Sequence, residues 1–247
     1  MNLTLAALFL ILSVIIGGVI VTSLHKLNQK EITKILLSVS GGFLLALAFV
    51  HLIPEIYENN SETIGFYVLL GFLFQLFLEY FSGGIEHGHV HGKNLKGSIP
   101  WGLFIALSIH SFFEAIPIEH QLIHGSVEHF HNHFHGEDSS ALLIGVILHK
   151  IPVAIALMTL LLASGFTKKK AWIVLIIFSL MAPLGLLAGH YGSKILNLNL
   201  EIILAIVVGM FLHISTTIVF ESSDNHKFNY VKLISILVGV GLALMSI

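Results

Sequence analysis

Two apolar stretches carry ionisable side chains at positions that lipid-facing or core sequence would leave apolar. Residues 102–118 read GLFIALSIHSFFEAIPI and hold His110, Ser111 and Glu114 ahead of Pro117. Residues 145–158 read GVILHKIPVAIALM and hold His149 and Lys150 ahead of Pro152. On a helix, His110 and Glu114 are four residues apart and share a face. An ionisable group at membrane depth is expensive and by default marks a site or a pathway. Two imidazoles and one carboxylate are a sound ligand set for a borderline divalent cation such as Zn²⁺. Structural glue between helices is the alternative for any one of these histidines. A His–Glu pair at this spacing, matched by a histidine on the next stretch, favours the metal.

The elements that must position these residues follow from composition. Of 247 residues, 55% are apolar and 11% charged, against roughly 25% charged in an average soluble domain. That excludes an ordinary soluble enzyme, a disordered tail and a nucleic-acid binder, whose basic patch would show in the charge balance. With no Cys, disulfides, iron–sulfur clusters and thiolate metal sites are excluded as well. An all-α integral membrane protein remains, with the lipid bilayer as its solvent. A crossing helix needs about 20 mostly apolar residues. The runs that qualify are 3–24, 32–54, 64–82, 99–118, 140–164, 171–190, 200–220 and 229–247, which predicts eight transmembrane helices in a single membrane domain, 1–247. The first run has no basic residue before Lys26, so it reads as a span rather than a signal peptide. Pro117 and Pro152 are expected to kink the fourth and fifth spans, freeing carbonyls beside the histidines.

All 12 basic residues are Lys, and their placement orients the chain. Lys26, Lys30, Lys34, Lys93, Lys96, Lys168, Lys169, Lys170, Lys227 and Lys232 fall in or beside alternate loops. The opposite loops hold only Lys194, and Lys150 lies within a span. The positive-inside rule puts the Lys-rich loops in the cytoplasm and both termini outside.

The quoted residues also resemble the ZIP (Zrt/Irt-like) family of divalent-metal transporters. LSIHSFFEAIPI is similar to that family's fourth-helix signature and LHKIPVAIAL to its fifth. GGFLLALAFVHLIPE, with its His51-to-Glu55 ending, resembles the second helix, and Pro183-Leu184-Gly185 the sixth. The resemblance implies eight helices in a three, two, three arrangement with inverted outer triplets, both ends outside, commonly in a homodimer, with transport helices sliding against a scaffold. Gly41-x-Phe43-Leu44 and Gly209-x-Phe211-Leu212 are a faint trace of the inversion. Members with two metal ions carry an acid or amide where this chain has Ser111, acids at Lys150 and Val153, and often an acid at Ala182. The resemblance is therefore to the branch with His-Ser-x-x-Glu and His-Lys. It implies a mononuclear site with His110, Glu114 and His149 as ligands, Ser111 beside them, and the Lys150 ammonium in place of a second cation.

The remaining histidines divide between loops and spans. Segment 83–97, on the cytoplasmic side, holds His87, His89 and His91; segment 119–139, on the external side, holds His120, His124, His129, His131, His133 and His135 with four acids and no Lys. Such an acidic, imidazole-rich mouth attracts divalent cations; a solvated polar loop or a pH sensor is the alternative. His51 and Glu55 line the outer end of span two or anchor it at the interface. His190 and His213 line a polar route or bond to neighbouring helices. Glu79 is expected at the cytoplasmic interface. The expected function is import of Zn²⁺ as transported substrate, with Cd²⁺, Fe²⁺ and Mn²⁺ as competing cargoes, across a plasma or bacterial inner membrane by alternating access. No obligatory cofactor is expected. An intramembrane zinc hydrolase and a non-transporting metal sensor are the alternatives.

Overall fold

In the computed structural model, residues 2–23, 28–59, 63–82, 101–124, 140–195, 198–220 and 230–246 are described. They form α1 (Leu3–Ser23), α2 (Gln29–Leu47), a π-helical turn (Ala48–Leu52), α3 (Ile53–Asn59), α4 (Ile64–Ser82), α5 (Trp101–Ala115), α6 (Ile118–His124), α7 (Ala141–Ala163), α8 (Lys168–Ser179), α9 (Met181–Ile195), α10 (Leu200–Phe220) and α11 (Tyr230–Ser246). Among the described residues, seven helical stretches are long and apolar enough to cross a bilayer. The chain is an integral membrane protein. The eighth expected crossing appears as α11, which is apolar but 17 residues long. That is about 26 Å of helix, a little short of the roughly 30 Å hydrocarbon core.

Proline explains the breaks. Pro54 has no N–H and its ring crowds the preceding turn; there the helix widens, and the Ile53 N–H reaches back five residues to Ala48 O. Before Pro117 the helix tightens instead, with Ile116 N–H donating to Phe113 O at 3.2 Å, and α6 starts afresh beyond it. Pro183 sits in the first turn of α9, where a missing N–H is tolerated. Pro152 is different. The predicted kink is not a break, because α7 runs unbroken through it, enclosed by α1, α2 and α8.

Contacts sort the spans into two groups of four. In one, α11 packs along α2, α4 along α10, and α10 on α2. In the other, α1 packs along α7 and α8, and α5 along α9. Within each group, helices touch backbone to backbone through glycine. A Cβ at Gly71 would strike Ile206 O and one at Gly209 would strike Val68 O, so α4 and α10 meet reciprocally; Gly185 and Gly189 likewise hold α9 against the carbonyls of Phe112 and Ile116. Small residues permit this approach in membranes, where dispersion and interhelical bonds replace the hydrophobic effect. Between the groups, α2 meets α7 through side chains. A Cβ at Gly145 would lie 3.1 Å from the Phe43 ring and 3.2 Å from Leu44. Phe43 and Phe211, the two halves of the faint internal repeat, are both buried in the same core. Leu8, Val19, Phe66, Phe77, Ile173 and Leu237 point outward, as lipid-facing residues do.

Candidate metal centre

Helix α5 presents His110, Ser111 and Glu114, and α7 presents His149 and Lys150; all five side chains are buried. The fourth and fifth spans therefore bring together the residues that sequence reasoning grouped. Their arrangement is specific. The Lys150 ammonium donates to Glu114 Oε1 at 2.5 Å and to Ser111 Oγ at 2.6 Å, with the Phe178 ring of α8 centred 5.9 Å away. Cation–π attraction operates at about that range. Ser111 is thus engaged by Lys150 rather than grouped with the histidines. With neutral imidazoles, one carboxylate and one ammonium leave the centre uncharged, which a dry interior favours.

The other oxygen, Glu114 Oε2, lies 3.3 Å from His110 Nε2. Two ligands at about 2.0–2.2 Å from a tetrahedral Zn²⁺ are about 3.4 Å apart, so this pair already stands at ligand spacing. The His149 ring is edge-on to His110 with centroids 6.0 Å apart. Two imidazoles on one tetrahedral ion have ring centres roughly 5 Å apart, closer than in this pair. In the observed arrangement, no three His, Asp or Glu side chains among the described residues form a ready metal-binding group.

Two participants escaped the sequence reading. Gln75 of α4 is fully buried, and its Oε1 lies 2.9 Å from His110 Nδ1. Its one sequence signal is a neutral amide inside the apolar run FLFQLFLE. Glu79, expected at an interface, is partly exposed and pairs with His213 Nε2 at 2.5 Å across α4 and α10, a partner that the sequence did not reveal. His213 thus bonds to a neighbouring helix.

The polar residues nearer the helix ends also make their own pairs. His51 Nε2 is 4.0 Å from Glu55 Oε2, and Gln121 Nε2 donates to Glu55 Oε1 at 2.5 Å. His190 Nδ1 is 2.8 Å from Glu119 Oε1, and Lys194 Nζ 3.1 Å from His190 Nε2. Glu119, His120 and Gln121 belong to α6, not to a loop, because the helix resumes after Pro117 and gives Glu119 and Gln121 buried partners. His87, His89, His91, His129, His131, His133 and His135 lie outside the described residues, as does the side chain of His124.

Comparison with known proteins adds two findings. A family model described as ZIP zinc transporter matches residues 97–247, which takes in α5 to α11 and all five central side chains. The chain is also similar to Protein zntD of Dictyostelium discoideum, at 27% identity over 183 residues, covering 67% of this chain and 24% of that protein. The chain thus spans about a quarter of the length of that relative.

Proposed function

Because the chain belongs to the ZIP zinc transporter family, we propose that it carries divalent cations, Zn²⁺ foremost, towards the cytoplasm through one site made by His110, Glu114 and His149. The observation that carries this reading is the 3.3 Å approach of His110 Nε2 to Glu114 Oε2 in a buried setting, the separation of two zinc ligands. Two imidazoles without thiolate suit zinc over harder cations. Membership of a transporter family leaves the hydrolase alternative without support.

Lys150 has a defined part in this scheme. It and the cargo compete for the same carboxylate. A divalent ion on Glu114 repels the ammonium, which moves towards Ser111 and the Phe178 ring. Between cargoes the ammonium takes the carboxylate again, so the empty centre returns without an uncompensated charge. Binding needs unprotonated imidazole and carboxylate, so acid weakens it.

Movement follows from the contrast between seams. The groups hold together internally by close glycine contacts, while at α2 and α7 they meet by side chains, which supports sliding of one group against the other. Gln121 to Glu55 is a bond between the groups that such a movement has to break. The Lys distribution supports both termini outside, with α11 as an eighth crossing, and the His-rich segments 83–97 and 119–139 gather cations on the inner and outer sides. The homodimer implied by the family resemblance completes the scheme. In proteoliposomes, the double variant His110→Ala, His149→Ala loses most Zn²⁺ uptake; wild-type uptake by the folded double variant would overturn the site.

A further inference from the structure

Gln75 is fully buried on a helix whose other flank carries exposed Phe66, Leu69, Leu73, Leu76 and Phe77. An amide at that depth is costly unless its hydrogen bonds are made, so its partner matters. Its Oε1 faces His110 Nδ1 at 2.9 Å. An amide oxygen only accepts, so Nδ1 carries the hydrogen and donates. A neutral imidazole then has its lone pair on Nε2, the nitrogen 3.3 Å from Glu114 Oε2.

We propose that Gln75 is a positioning residue for cation binding, accepting from His110 Nδ1–H and so fixing the tautomer and ring angle that turn the Nε2 lone pair towards Glu114. The inference rests on the reading of His110 and Glu114 as ligands. A ligating imidazole commonly gives its second N–H to a carboxylate or carbonyl, which orients the ring and raises its basicity. Here an amide does so without adding charge, which suits a centre where one ammonium already balances one carboxylate. Gln75 also comes from the opposite helix group, since α4 packs along α10 while α5 packs along α9. Sliding of the groups therefore makes or breaks this bond. The ligand nitrogen is held in one arrangement and let go in the other, which couples affinity to position.

The test uses the full chain. With ¹⁵N-labelled histidine, and the His110 signal assigned by its loss in His110→Ala, the wild type shows hydrogen on Nδ1 alone. Hydrogen on Nε2, alone or with Nδ1, overturns the proposal without any variant, so a misfolded mutant leaves it testable. In proteoliposomes, Gln75→Met raises the KM for Zn²⁺ uptake roughly 10- to 100-fold at unchanged melting temperature. Gln75→Glu, which keeps an acceptor, holds KM at or below the wild-type value. A KM within about twofold of wild type in folded Gln75→Met overturns the role of Gln75, since an outer partner of this kind is worth at least tenfold. Equal loss in both variants, tracking a lowered melting temperature, overturns it as well. Wild-type uptake by His110→Ala would instead remove the ligand reading itself.

Discussion

Glu79 with His213 and Glu114 with His110 are both carboxylate–imidazole pairs, the first partly exposed and the second buried, and their surroundings differ. The first joins α4 to α10 at 2.5 Å, with the Phe72 ring edge-on to His213 at 4.8 Å. Both members belong to a single helix group. In the second, the carboxylate is approached by an ammonium on one oxygen and an imidazole on the other, and a second imidazole stands beside them. The histidine there is tied in turn to an amide from the other group. A carboxylate paired with an imidazole of its own helix group is a fastening. A carboxylate with several rival partners can exchange them, and exchange is what a carrier of cations requires.

The same neutralising substitution tests this contrast at both places. Glu114→Gln lowers Zn²⁺ uptake roughly 100-fold or more, beyond the usual cost of losing an outer partner. If Glu79→Gln abolished uptake as fully at equal folded protein, the distinction between the pairs would collapse. Lys150→Met comes next in size. Freed of its competitor, Glu114 binds cargo more tightly, and the KM for Zn²⁺ falls roughly tenfold, about 1.4 kcal/mol, while the maximal rate drops because release and return slow. A raised KM would show that Lys150 builds the site rather than competing within it. The smallest effect belongs to Glu79→Gln itself. KM stays within about twofold, and thermal melting in detergent reports a loss of about 1–2 kcal/mol, the scale of an interhelical bond in a membrane.

Much of the centre was legible because its signals are local. His110 and Glu114 share a face by spacing alone, and His149 and Lys150 stand out in an apolar run. What Lys150 touches depends on how α5 crosses α7, and no spacing encodes that. Gln75 escaped because a neutral amide carries no charge to betray it; its partner lies 35 residues away. The pairing of Glu79 was hidden for a similar reason. Near the end of an apolar run a carboxylate reads as interfacial, and its partner lies 134 residues on. The spans were legible from hydropathy, including both ends of α1 and α10 to within a residue. Residues 119–124 were taken for loop because they are polar. Their polarity is instead spent on Glu55 and His190. Pro152 looked like Pro117 in sequence, but α7 runs on through it with neighbours on three sides.

The glycine crossing of α4 and α10 has a mechanical consequence. Side chains between helices act as springs, absorbing small displacements by changing rotamer. At Gly71 and Gly209 the two backbones bear directly on each other, and that play is gone. The pair behaves as a stiff beam: a push at one end arrives at the other with little loss. Gln75 is mounted on that beam one turn from Gly71, so the ring of His110 feels the travel of the whole assembly rather than the jitter of one helix.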